Sequence, residues 1–281
     1  MFLSLIRLVP SEVNFARIRA KGKFIRRSRA DSFHELPKKL NRNKSGHSAS
    51  GLYVFPLSDN IILMARESIA DKIERTQKII AALKRTYPDA HCELNFSNPL
   101  QLLVATILSA QCTDKRVNLV TAKLFKTYRS AKDFAGAPLT EIEETVKSTG
   151  FYRNKAKNIQ ACCAALVEKF GGTVPRTMDE LHALAGVGRK TANVVLGSAF
   201  GINAGVVVDT HVTRLANRLG LVKGADAVKI EQELMKLVPQ ENWTWFSHWL
   251  IWHGRRRCGA RKPDCANCEI KNICPQIGVR K

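Results

Sequence analysis

From Met64 onward the apolar residues of this chain recur at helical spacing, and that periodicity limits the possible folds more than any other feature. Ser68 is a candidate cap for a helix with Ile69, Ile73, Ile80 and Leu83 on one stripe. Asn98-Pro99 opens an apolar helix through LQLLVATILSA, with proline at its first position. Thr113 caps TDKRVNLVTAKLFKTY. Thr140 with Glu143, and Thr177 with Glu180, have the spacing of capping boxes. Further helices are predicted over NKAKNIQACCAALVEKF, RKTANVVLGSAF, HVTRLANRLG, VKIEQELMKLV and TWFSHWLIWHG. Strand-like alternation is nearly absent. Val206–Val208 is its best candidate, and it is short. The pattern predicts an all-α chain.

A length of 281 residues suits about two domains. Hydrophobic residues at 45% and charged residues at 25% argue against a wholly disordered chain, a collagen-like fibre or a small disulfide scaffold. No apolar run is long enough to span a bilayer; FLSLI is broken at Arg7. The formal charge of +21 points to a polyanionic partner, because each neutralised phosphate releases counterions. Nucleic acid is the first reading. An anionic membrane surface is the second, but no clear basic amphipathic helix supports it.

Residues 1–63 differ from the rest. They hold twelve Lys or Arg against four acids, poor helical period and the polar stretch NRNKSGHSASG. Three readings stand: a disordered basic arm that adds DNA affinity, an organelle-targeting segment weakened by its acids, or a segment of no structural role with the true start at Met64. The last is favoured. It implies that the catalytic unit begins near Met64, because so little apolar surface cannot offset the entropy of ordering.

The sequence Leu184-Ala185-Gly186-Val187-Gly188-Arg189-Lys190 ends one helix and starts another at once. Glycines permit tight backbone geometry, and the N–H groups at the new helix's start form an anion site. A DNA phosphate held without regard to sequence suits Gly186, Gly188 and Arg189. A tight corner with glycines for packing alone is the bland alternative. Near the C-terminus stand Cys258, Cys265, Cys268 and Cys274. Thiolates in fours bind zinc or an iron–sulfur cluster, and one CxxC between two longer arms is unlike the common paired-hook zinc modules. A disulfide framework is a poor reading without a secretory signal. Cys92, Cys112, Cys162 and Cys163 read as buried small hydrophobes on helices.

LAGVGRKTANVV followed by VVDTHVTRLANRLG resembles the helix-hairpin-helix DNA glycosylases, and most closely the endonuclease III family. The resemblance runs from about Ile69 to Cys274. It implies a six-helix domain over 92–202 containing the hairpin, an iron–sulfur domain over 64–91 and 203–281, and a DNA cleft between them. It implies a bifunctional glycosylase and AP lyase acting on oxidised pyrimidines and abasic sites in duplex DNA. The lysine after the hairpin, Lys190, matches the family's nucleophile, and Asp209 matches its assisting aspartate. The cysteine spacing matches the family's [4Fe–4S] ligands. The loop between the first two cysteines carries Arg261 and Lys262, which the resemblance assigns to DNA phosphates. It further implies a monomer without membrane attachment, acting in the bacterial cytoplasm on the nucleoid.

The chemistry asks for these residue types independently. Breaking the C1′–N bond makes the sugar resemble an oxocarbenium ion, which a carboxylate stabilises. A neutral amine can attack C1′ and open the sugar to a Schiff base. Arg189 and the positive end of the helix near Lys190 disfavour a second charge there. The bland alternatives are a phosphate-touching surface lysine and an N-cap for Asp209, and the latter is compatible with catalysis. His211 reads as a helix-end or core histidine. Because the enzyme must extrude the nucleotide, something must fill the gap. By resemblance Gln111 is a polar plug and Phe151 an apolar wedge; otherwise Gln111 ends a helix and Phe151 is core. Asp114 lines the base pocket by analogy alone, or favours a helix N-terminus. Three residues depart from the family pattern: Ala185 for proline, Phe151 for leucine and Cys112 for alanine. They bear on lesion preference and rate, not on reaction class.

Two rivals make different demands. The adenine glycosylase branch shares the cluster spacing but lacks the lysine, and usually carries more chain beyond the cluster than the seven residues after Cys274. A non-enzymatic DNA-binding module needs no Lys190–Asp209 pair.

Overall fold

The structure is a computed structural model that describes residues 67–279. Expectations for residues 1–63 and the start at Met64 lie outside the described residues. Eleven α-helices run through them: α1 (Ile69–Thr86), α2 (Pro99–Leu108), α3 (Asp114–Thr127), α4 (Ala131–Gly136), α5 (Leu139–Val146), α6 (Tyr152–Phe170), α7 (Met178–His182), α8 (Arg189–Phe200), α9 (Thr210–Arg218), α10 (Ala227–Leu237) and α11 (Trp243–Arg256). No strand forms among the described residues. One isolated antiparallel bridge joins Cys258 and Pro263. The chain is all-α, as its periodicity requires. No described helix is long and apolar enough to cross a membrane.

The helices enclose two hydrophobic cores within one compact unit. Helices α2 to α8 surround the first, with Leu102, Leu103, Leu108, Phe134, Ile159 and Leu196 at its centre. Helices α1, α9, α10 and α11 surround the second, with Ile79, Leu83, Leu215, Leu234 and Phe246 inside. Helix α11 lies against both α8 and α9, so it links the two cores.

Most helix starts follow from capping. Ser68, Asn98, Thr113 and Thr177 each accept a bond from the backbone N–H three residues on. The Thr140 box does not form. Pro138 takes the N-cap position with φ −58° and starts α5 at Leu139, which puts Thr140 inside the helix. The complete capping box is instead Ser130 with Asp133 at the start of α4. Ile69 is 64% exposed, because it precedes the turn where α1 meets the core; the buried stripe is Thr76, Ile79, Ile80 and Leu83. Val206–Val208 form a buried connection rather than a strand, and the Val207 N–H donates to Ser247 Oγ at 2.8 Å. Cys162 and Cys163 are buried on α6, whereas Cys92 and Cys112 lie in loops and are only partly buried.

Candidate active site

Two helix N-termini frame one cleft. The first is that of α8. The chain leaves α7 and turns through residues 183–188, with the Val187 N–H donating to Leu184 O at 3.1 Å. Gly186 has φ 74°, and a β-carbon there would come within 2.8 Å of Asn158 Cβ, so this corner packs only with glycine. Gly188 differs. It is the N-cap of α8, with φ −85°, and a β-carbon there would meet nothing within 4 Å. Packing therefore does not call for glycine at 188. Without a side chain it cannot cap, so the first N–H groups of α8 have no side-chain cap. Lys190 is exposed in this first turn and pairs with no described carboxylate.

The second N-terminus is that of α9. Asp209 is its N-cap, and Oδ1 accepts from His211 N and Val212 N, both at 2.8 Å. Oδ2 receives no hydrogen bond from the described residues. One carboxylate oxygen thus serves the helix and the other is left toward the cleft. Lys190, Asp209, Gln111, Asp114, His211 and Arg255 line that cleft. Burial lowers the His211 pKa, so its ring is held neutral.

The surrounding charges are paired. Arg189 Nε donates to Glu231 Oε2 at 2.7 Å, and the other oxygen of this buried carboxylate accepts from Asn193 Nδ2 at 2.8 Å. The bond raises the Arg189 pKa, yet Glu231 offsets its field at Lys190. Arg189 is therefore not the free cation beside Lys190 that its place in sequence suggests. Asp114 Oδ2 accepts from Arg255 Nη2 at 2.7 Å, and Arg255 also pairs with Glu93. Asp114 is thus at the cleft but already charge-paired.

Gln111 and Phe151 stand on exposed loops. Phe151 is 66% exposed and is not core. Both have positive φ, 54° and 49°, a conformation shared among described non-glycine residues only by Gln276. Such strain costs about 1–3 kcal/mol per residue and concentrates at functional sites.

The four C-terminal cysteines line one pocket with Leu215 and Ile270, and none is disulfide-bonded. Their sulfurs meet donors: Arg218 Nη1 reaches Cys258 Sγ at 3.2 Å and Gln276 N reaches Cys274 Sγ at 3.4 Å. His253 Nε2 lies 3.5 Å from Cys268 Sγ, and Tyr87 OH lies 3.1 Å from His253 Nδ1. If tyrosine donates to Nδ1, the neutral imidazole donates to sulfur. Burial supports that neutral form by lowering the His253 pKa to about 4. Arg218, in the last turn of α9, also donates to Gly259 O and Ala260 O, both at 2.8 Å, and shapes the loop that exposes Arg261 and Lys262.

Residues 104–240 match a family described as the HhH-GPD superfamily of base excision DNA repair proteins. The endonuclease III of Synechocystis sp. is 56% identical over 207 residues, covering 74% of this chain and 94% of that protein. This chain belongs to the endonuclease III family. A solved non-covalent endonuclease III–DNA complex matches with a TM-score of 0.69 at 46% identity, over 73% of this chain and 95% of that one. A trapped endonuclease III–DNA covalent intermediate matches with a TM-score of 0.70 at 45% identity, over 73% and 96%. The protein is thus an enzyme, a base excision repair DNA glycosylase of the endonuclease III family. In the hairpin turn, Ala185 is partly buried and packs against the first core.

Several residues of the site were not singled out by sequence reasoning: Glu231, Arg255, Glu93, Arg218 and Lys155. For Glu231 and Lys155 a signal existed. Each interrupts the apolar stripe of its helix, Glu231 beside Ile230 and Leu234, Lys155 beside Ala156 and Ile159. A charge at a core register needs a buried partner.

Proposed function

We propose that the protein is a bifunctional glycosylase and AP lyase that removes oxidised pyrimidines from duplex DNA and cleaves 3′ to the resulting abasic site. The observation that carries this reading is the pairing of an unpartnered Lys190 at an open helix N-terminus with a half-free Asp209 carboxylate in the same cleft. Neutral Lys190 Nζ attacks C1′ as the C1′–N bond breaks, and the base leaves with the bonding pair and gains a proton. Asp209 Oδ2 stabilises the developing cation. The amine gives up its proton, the C1′–O4′ bond breaks with O4′ taking up a proton, and the nitrogen lone pair completes the C1′=N bond of a Schiff base. Loss of a C2′ proton expels the 3′ phosphate by β-elimination, and water then releases Lys190.

Gly186, Gly188 and Arg189 hold a backbone phosphate, Arg261 and Lys262 a second, and Gln111 and Phe151 fill the gap left by the extruded nucleotide. Asp114, through Arg255, forms part of the base pocket. Residues 92–202 form one domain, and 64–91 with 203–281 the other, each about one core. The protein acts as a monomer on the bacterial nucleoid, without membrane attachment.

Cys258, Cys265, Cys268 and Cys274 hold a [4Fe–4S] cluster. A tetrahedral zinc with Zn–S near 2.3 Å needs sulfurs about 3.8 Å apart. No three of these sulfurs lie within 4.8 Å of one another, which supports a larger polynuclear group. Cys258 and Cys265 flank the 259–264 loop, so a bound cluster would hold both ends of that loop together with Cys268 and Cys274. The purified protein should carry iron and inorganic sulfide; stoichiometric zinc in an active, colourless protein would contradict this.

The functional test is borohydride trapping on a duplex with an abasic site. The wild-type protein is expected to form a covalent adduct, and Lys190→Gln to form none while keeping most DNA affinity. Normal trapping by Lys190→Gln would refute the assignment. A wild-type protein that excises bases but is never trapped would be monofunctional.

A further inference from the structure

Lys155 and Glu231 are the two buried Lys, Arg, Asp or Glu side chains among the described residues, and the chemistry above makes no use of Lys155. It sits in the first turn of α6 and is 5% exposed. A cation is disfavoured at a helix N-terminus, and burial lowers its pKa further. No described carboxylate pairs with it. Its ammonium instead donates to two main-chain carbonyls, Leu108 O at 2.9 Å and Thr149 O at 2.7 Å.

Those two carbonyls belong to the two loops of the site. Leu108 is the last residue of α2, three before Gln111, and the negative end of that helix favours a cation. Thr149 is two residues before Phe151. Gln111 and Phe151 are the two exposed, left-handed residues of these loops. A strained conformation persists only where its surroundings over-determine it. One buried ammonium bonded to both loop bases is such a constraint.

We infer that Lys155 is a positioning residue that sets the spacing of the two loops, so that Gln111 and Phe151 enter the duplex together. The inference rests on the gap-filling reading of those residues and on the Lys190 chemistry, and the test separates the three. Single-turnover cleavage is measured on an abasic site in duplex DNA and in a single-stranded oligonucleotide, which has no partner base to plug. Cleavage of the single strand reads the Lys190 chemistry alone. The same two rates are taken for Lys155→Met, Lys155→Arg, the double variant Gln111→Ala/Phe151→Ala, and that pair combined with Lys155→Met.

Misplacement of reacting or positioning groups by about 1 Å can cost about a hundredfold in rate. Lys155→Met is therefore expected to lose at least about tenfold on the duplex and less than about threefold on the single strand. Lys155→Arg, which keeps charge and donors, should fall between. In the Gln111→Ala/Phe151→Ala background Lys155→Met should add little, since residues that act through one another are not additive. Parallel losses on both substrates, a full additional loss in that background, or an Arg variant no better than Met would overturn the inference. So would a Lys155→Met protein that fails to fold, which would make the lysine a fold determinant. If Gln111→Ala/Phe151→Ala leaves duplex cleavage intact, the gap-filling reading fails. If wild-type protein cleaves neither substrate, the lyase reading fails.

Discussion

The N-termini of α8 and α9 face the same cleft and solve the same problem in opposite ways. Each helix start leaves backbone N–H groups without helical partners. In α9 these groups are satisfied from within, by Asp209 Oδ1. In α8 they are not, because the cap position is Gly188. The closed end presents a carboxylate and the open end presents bare donors beside Lys190. An open helix start is suited to an outside anion, a closed one to a developing cation. The difference lies in a single side chain at each cap.

The largest expected effect comes from separating the two roles of Asp209. Asp209→Asn keeps an oxygen for the cap but removes the charge. Excision of thymine glycol under single-turnover conditions should fall about a hundredfold or more, with a melting temperature near wild type. Asp209→Ala should lose the same activity and also about 1 kcal/mol of stability, seen in denaturant titration. Wild-type excision by the Asn variant would reduce Asp209 to a cap.

Next comes closing the open end. Gly188→Asp meets no steric obstacle and supplies a capping carboxylate. Helix stability should rise by a few tenths of a kcal/mol, while affinity for duplex DNA falls about tenfold, measured at fixed salt. Unchanged affinity would show that α8 does not hold phosphate.

An effect of similar size, on stability alone, concerns what sets the open end in place. Glu231→Gln leaves Arg189 without its counter-charge. Because Arg189 is partly exposed, the loss of stability should be about 1–2 kcal/mol rather than that of a fully buried pair. A melting curve superimposable on wild type would mean solvent fully replaces Glu231.

The helices and the hairpin were legible in sequence because their signals are local, whereas Gln111 and Asp114 were named only through the family resemblance. Caps sit three residues from their partners, and the hairpin glycines adjoin Lys190. What escaped depends on partners distant in the chain. Arg189 looked like a free cation because Glu231 lies on another helix. Asp114 could not be known to pair with Arg255, nor Lys155 to bridge Leu108 and Thr149. The Thr140 box failed for a local reason, since Pro138 offers an earlier start. The left-handed backbone at Gln111 and Phe151 had no signal, because neither residue type favours it.

The central claim is that Lys190, at the open end, makes the covalent bond. The most direct measurement is to trap the wild-type protein on an abasic duplex with borohydride, digest it, and locate the modified residue by peptide mass. The account requires a single adduct on Lys190. An adduct on any other lysine, or on the chain's amino terminus, would contradict it.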